Sequence, residues 1–252
     1  MTILWNVISQ PKRIFIVSEW KKLRKINKHL TRANYSSRNA WTAAQENRNL
    51  KRKIYPSYDE YLEHQRSKIN KKPPDYLDEY EIKFREVLVQ RLRSIDDIVS
   101  FRCKNVLCLA ARKGAEVRSF LDLGCFAIGI DLNPSTKNKY VVYGDFHDIQ
   151  FPDLSIDVVY TNSFDHVFDP EKVLLEINRV LKNQGIFILE AVAMSNLKES
   201  TASSYYYESF YWSEVDHLVK LIEGKGFCVK SRVPFKYPWD GEQIVFYKTT
   251  QL

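Results

Sequence analysis

Two aspartates fourteen residues apart each follow a run with strand character. Asp131 closes Gly129–Ile130–Asp131–Leu132–Asn133–Pro134, and Asp145 stands in Gly144–Asp145–Phe146. Open α/β sheets bind ligands across the carboxyl ends of their strands, so both residues are placed to meet one. A carboxylate at 131 can accept from both hydroxyls of a ribose, each charge-assisted bond contributing about 1.5–3 kcal/mol. The same residue type also closes turns. At the second tip Gly144 permits close backbone approach, Asp145 can accept from an exocyclic amine, and Phe146 can stack on a purine face. The pattern is that of a nucleoside site.

Other residues with chemical capacity cluster at two further strand ends. The first apolar run, Val106–Ala110, leads into Ala110–Ala111–Arg112–Lys113–Gly114–Ala115–Glu116. Thr161–Asn162–Ser163–Phe164–Asp165–His166 follows the fourth. An imidazole at His166, with an ordinary pKa near 6.5, suits a general base beside Asp165; packing over the pocket is the alternative. His147, in a loop, and His217, on a helix, are weaker candidates. The aromatic block Tyr205–Tyr207, Phe210, Tyr211 and Trp212 suits a lid or core packing. Cys103, Cys108, Cys125 and Cys228 form no C-x-x-C pair and no zinc spacing, so no metal is expected and all four read as reduced thiols of an intracellular, cytoplasmic protein.

The elements that must position these residues alternate in type. From Asn105 the pattern reads β, α, β, β, α, β, α, β, which predicts a doubly wound sheet. Strands are expected at 106–110, 127–132, 140–143, 157–161 and 186–189. Two more, at 227–231 and 243–247, are joined only by a loop and must pair antiparallel. A helix over 115–123 ends at Gly124 as a left-handed cap. Asp169 as N-cap, Pro170 at the first helical position and Glu171 in the first turn start another; Ser213 with Asp216 opens the last. The run Leu121–Asp122–Leu123–Gly124–Cys125 resembles a glycine-loop opening, but it lies too close to Asp131 for a strand and crossover helix.

Before residue 100 the character changes. Met1–Lys72 carries 17 Lys/Arg against 5 Asp/Glu, and the remaining residues 21 against 26, giving the net +7 of the whole chain. Helices are expected around Phe15–Lys28, over Tyr58–Ile69 from a Ser57 cap, and over Asp78–Arg93; Pro73–Pro74 marks the boundary. The reading is thus a basic, largely helical extension over 1–74 and a Rossmann-like domain over 75–252. Such an arm can meet phosphates, anionic lipid or an acidic substrate, or be a solvated helical surface. No apolar run reaches the roughly 20 residues of a membrane span, and Met1–Ser9 lacks the features of a secretion signal.

The run from Gly144 to Leu189, with Phe151–Pro152, Asp157–Val158–Val159, His166–Val167, Asp169–Pro170, Glu176–Ile177 and Arg179–Lys182, resembles class I S-adenosylmethionine-dependent methyltransferases, in particular the small-molecule branch. The resemblance is continuous from Val106 to Leu189, plausible to the C-terminus and absent before residue 100. It implies a mostly parallel seven-stranded sheet with an antiparallel last strand. It also implies an S-adenosylmethionine site from Ala110, Ala111, Arg112, Gly114, Glu116, Asp131, Leu132, Gly144, Asp145, Phe146, Asn162 and Ser163, with His166 and Asp165 facing acceptor or cofactor. The departure is in the glycine loop, where only Gly114 remains, Arg112 takes a glycine position and Cys108 the acidic one. Arg112 can pair with the cofactor's carboxylate and Glu116 can supply a displaced acid; the alternative is a damaged pocket.

The expected activity is methyl transfer to a hydroxyl or amine of a small molecule or glycan, with a sugar-type hydroxyl favoured. A nucleic-acid methyltransferase using the basic arm is the second reading, although no Asn/Asp-Pro-Pro-Tyr/Phe run follows the fourth strand. The third is a non-catalytic scaffold, or a protein whose N-terminal helix docks on anionic membrane.

Overall fold

A computed structural model describes residues 41–44, 47–67, 74–134, 138–196 and 207–249. Seven strands form the central sheet: β3 (Asn105–Leu109), β4 (Phe126–Asp131), β5 (Val141–Tyr143), β6 (Ile156–Thr161), β7 (Leu181–Ala191), β9 (Phe227–Phe235) and β10 (Gly241–Lys248), in the order β5-β4-β3-β6-β7-β10-β9. The pairs from β5 through β7 are parallel, and β10 runs antiparallel to both β7 and β9. The expected Rossmann-like architecture is the one observed. Strand order reverses between β3 and β6, which sets the ligand crevice at their carboxyl ends.

Helices cover both faces. On one lie α2 (Pro74–Ser94), α3 (Asp96–Val99) and α4 (Ala115–Asp122), with Phe84, Leu88, Leu92 and Phe120 packed on Val106, Val158 and Ile188. On the other lie α5 (Pro170–Val180) and α6 (Val215–Glu223), with Leu174, Ile177, Leu218 and Ile222 on Val159, Phe187 and Phe246. The start of α5 is the one its sequence predicts: the Asp169 side chain accepts from the N–H groups of Glu171 and Lys172, a cap that contributes about 1 kcal/mol. For α6 the cap falls one residue later than expected. Glu214 occupies it without a side-chain bond, and the Ser213 hydroxyl instead meets His217 Nδ1 at 3.1 Å. The decoy run at 121–125 forms the end of α4, where Asp122 pairs with Arg85 on the outside.

The N-terminal part differs from the helical extension expected. The expected helix near Phe15–Lys28 lies outside the described residues. β1 (Trp41–Ala44) and β2 (Asn47–Lys53) form a small sheet with β8 (Phe210–Trp212), in the order β1-β2-β8. Leu50 stands opposite Trp212 and Arg52 opposite Phe210. α1 (Tyr58–Arg66) follows, capped by the Ser57 hydroxyl as its sequence predicts. The compact unit that holds the central sheet spans Thr42–Leu252, so residues 42–67 fold with it although the boundary was expected at 74/75.

One buried ion pair ties α2 to the sheet. Arg91 donates to Glu190 at 2.6 Å and to the Tyr237 carbonyl, and its guanidinium lies 4.0 Å from the centre of the Phe235 ring. Gln243 fills the other Glu190 oxygen at 2.9 Å. Truncating Arg91 to Ala strands the buried carboxylate, so urea unfolding should show a loss of about 3–5 kcal/mol, and replacing Arg91 and Glu190 together by Met and Leu should recover most of it.

Candidate active site

The crevice is built from the loop after β3. Ala110, Arg112 and Gly114 all have left-handed backbone, at φ values of 55°, 45° and 87°. Two of these positions carry side chains that disfavour this conformation by about 1–2 kcal/mol each, so surrounding bonds must hold it. They do. The Ala111 N–H donates to the Ile130 carbonyl, and the Arg112 N–H donates to Asp131 Oδ2 at 3.0 Å. The other Asp131 oxygen accepts from the Asn133 N–H at 2.8 Å. Beside it, the Gly144 N–H donates to the Asp131 carbonyl, and a Cβ on Gly144 would lie 2.9 Å from Ile130 Cβ. Leu132 is half-buried next to Asp131.

Across the crevice, Glu116 reaches from the first turn of α4 toward the end of β6. Its Oε1 accepts from Asn162 at 3.4 Å, while its buried Oε2 has no hydrogen-bond partner. Burial, then the neighbouring Glu81 carboxylate, pushes the Glu116 acid up to about 8. Glu81, raised mainly by burial, accepts from the Ala115 N–H at 3.0 Å and lies 3.7 Å from Arg118. Arg112 projects over the Tyr80 ring, 5.8 Å from its centre, and exerts its charge on both acids. Cys108, at the position expected to be acidic, is a fully buried thiol that burial keeps protonated. Ser163 braces Asn162, its hydroxyl donating to Oδ1 at 3.0 Å.

At the β5 tip Asp145 is held by three donors. Oδ1 accepts from the His147 N–H and from His147 Nδ1, and Oδ2 from the Tyr58 hydroxyl. His147 Nε2 accepts from the N–H groups of Phe168 and Asp169, which fixes the hydrogen on Nδ1. Burial tends to raise the Asp145 acid, but the bonds from His147 and Tyr58 win and hold it below its ordinary value. Asp131 and Asp145 both act electrostatically on the buried phenol of Tyr61, so the two tips share a neighbour. Phe146 is buried in the core on the α5 side.

The His166 end is covered from two directions. Tyr61 on α1 donates to the His166 carbonyl at 3.0 Å, and the Ser209 N–H to the Asp165 carbonyl at 2.7 Å. Gln65 donates to the Tyr207 carbonyl at 2.8 Å, joining the two covering segments. His166 Nδ1 donates to the same carbonyl at 3.0 Å, and Nε2 lies 3.6 Å from Asp165 Oδ2. Of the aromatic block, Phe210 and Trp212 are core, Tyr207 stacks on His64, and 205–206 lie outside the described residues.

Residues 107–189 match the family described as a methyltransferase domain. The chain carries a class I S-adenosylmethionine-dependent methyltransferase domain. No curated protein matches it in sequence. Among solved structures the methyltransferase resembles the Burkholderia thailandensis 1,6-didemethyltoxoflavin N1-methyltransferase at 16% identity and TM-score 0.60, over 83% of this chain and 99% of that one. It also resembles a Pyrococcus horikoshii OT3 protein at 17% identity and TM-score 0.54, over 66% and 91%. At these identities the likeness is one of fold. The residues present fit S-adenosylmethionine, the enzyme's cofactor: the loop keeps glycine-type backbone, and Glu116 offers a buried carboxyl oxygen with no hydrogen-bond partner.

Tyr58, Tyr61, His147 and Glu81 are the participants the sequence reading missed. The two tyrosines stand in an apolar stripe that hides their hydroxyls, whereas the Asp145-x-His147 spacing, a turn closed by the side chain, was a usable signal. Tyr58→Phe removes a bond to an ionised acid and should cost about 1.5–3 kcal/mol at neutral pH. Because Asp145 is depressed in the folded protein, its stabilisation is present above its unfolded pKa and lost as pH falls through the folded one. The difference in urea stability between parent and variant should therefore shrink in acid.

Proposed function

We propose that this methyltransferase moves a methyl group onto a hydroxyl or amine of a small molecule or glycan, with a sugar-type hydroxyl preferred. The observation that carries the cofactor half is the spare hydrogen-bonding capacity of the two strand-tip carboxylates. Each Asp131 oxygen accepts one backbone N–H and has one lone-pair direction left, which suits the two hydroxyls of a ribose. Asp145 Oδ1 is filled, and Oδ2 has one direction left beside Tyr58, which suits one exocyclic N–H. Ala110, Ala111 and Gly114 bring backbone close to the amino-acid end, and Asn162 and Ser163 close it from β6. When bound, the cofactor supplies an electrophilic methyl on sulfonium, so the protein's work is alignment and proton removal.

Proton removal falls to His166. Its Nδ1 hydrogen is committed to the Tyr207 carbonyl, so Nε2 is the basic atom, and Asp165 stands where it stabilises the imidazolium that forms. His166 is mostly buried beneath α1 and the 207–209 segment, which favours a compact acceptor over a base held in a duplex. The basic arm supports a second reading, a nucleic-acid acceptor; tight random-RNA binding that weakens steeply with salt would favour it. We read the protein as cytoplasmic; among the described residues no helix is long and apolar enough to cross a membrane.

Calorimetry with S-adenosylhomocysteine should show binding that Asp131→Ala weakens by about ten- to a hundredfold, the equivalent of one or two charge-assisted bonds. Unchanged affinity in that variant overturns the site. With an acceptor in hand, His166→Gln should lower kcat by about 10²–10⁴ and remove the acid limb of the rate profile, with cofactor affinity kept.

A further inference from the structure

We propose that Glu81 and Glu116 form the receptor for the α-ammonium of the cofactor's amino-acid end, and that filling it expels the proton the two acids share. This rests on the methyltransferase reading. Cys108 stands where the family resemblance places an acid, so any counter-charge to that ammonium must come from elsewhere. Glu116 is the candidate by geometry: it spans from α4 to Asn162 at the end of β6, and its buried Oε2 has no partner. A buried carboxyl oxygen without a hydrogen-bond partner is costly, by about 1–3 kcal/mol, and once its proton has left it can accept from an ammonium, a donor-only cation with three N–H groups.

The groups facing the pair decide where the proton resides. From α2 come Glu81 and the Tyr80 phenol, the latter shifted upward by burial. The loop contributes Arg112 and Lys113, and α4 contributes Arg118. β3 and β6 add only Cys108 and Tyr160, both pushed well upward by burial and so uncharged at neutral pH. Glu81 has the Ala115 N–H and the Arg118 guanidinium, so it carries the charge; Glu116, beside an existing negative charge, carries the proton. An arriving ammonium reverses that balance. The Glu116 O–H bond breaks, its electron pair stays on the carboxylate, the proton goes to solvent, and the carboxylate accepts from the ammonium.

Titration calorimetry on the full chain tests this, with S-adenosylhomocysteine and with 5′-methylthioadenosine, which keeps the nucleoside but lacks the amino-acid end. In two buffers of different ionisation heat near neutral pH, the first ligand should release about one proton and the second none. S-adenosylhomocysteine affinity should rise by up to about tenfold per pH unit toward pH 8, with methylthioadenosine flat. Glu116→Gln should end the proton release and cut the preference for S-adenosylhomocysteine at least about tenfold, leaving methylthioadenosine affinity intact. Glu81→Gln should lessen the release, because burial still raises the Glu116 acid, while keeping part of the preference. A pH-independent preference in the unaltered chain, or a Glu116→Gln variant that releases the proton as before, overturns the inference alone; if neither nucleoside binds the unaltered chain, the methyltransferase reading falls too. The buffer and pH series need no substitution.

Discussion

The hydrogen bond from the Arg112 N–H to the Asp131 carboxylate is the contact on which the site is hung. It joins the loop after β3 to the tip of β4, and it does so from a residue whose backbone would otherwise avoid its conformation. With glycine at 110 and 112 the loop would follow this path without steric cost. With Ala110 and Arg112 it must be held, and Asp131 does the holding while keeping one lone-pair direction per oxygen. Position 112 thereby also gains a side chain, which lies over the Tyr80 ring.

Helix α2 brings two charged residues to the sheet, and their fates differ instructively. Arg91 meets Glu190, and with Gln243 on the second oxygen the carboxylate is filled from both sides. Such a pair is structural: complete without a ligand, costly to break, replaceable by apolar groups of similar volume. Glu81 meets another acid. Two buried acids side by side disfavour each other's charge, and Glu116 Oε2 has no hydrogen-bond partner. A buried group left incomplete by its own chain is where a ligand contributes most.

What the sequence made legible was what local chemistry determines. Asp169–Pro170 and Ser57 carry their own capping instructions, and both helices begin where those residues say. The buried parallel strands are short apolar runs between turns, and the right loop could be told from the decoy at 121–125 by counting residues alone. β2 carried no such signal. Asn47–Lys53 is polar at nearly every position and is a strand because β1 and, about 160 residues away, β8 pair with it. At 145–148 a tight turn, closed by the Asp148 N–H on the Asp145 carbonyl, brings His147 back to the carboxylate while Phe146 packs into the core, a folding-back that the residue types alone do not specify.

The cover over His166 shows the same limit at the level of function. Its parts are α1 and the segment before β8, and each is unremarkable when read alone: a tyrosine-rich amphipathic helix and an aromatic block. Together they place Gln65 on the Tyr207 carbonyl, Tyr61 on the His166 carbonyl and Tyr58 on Asp145. Every one of these bonds spans at least 87 residues, so no window of sequence contains both ends. Yet they are what leaves the His166 side chain only 13% exposed. The catalytic domain announces its fold through its strand tips; the cover over His166 consists of contacts that exist only after the chain has closed over them.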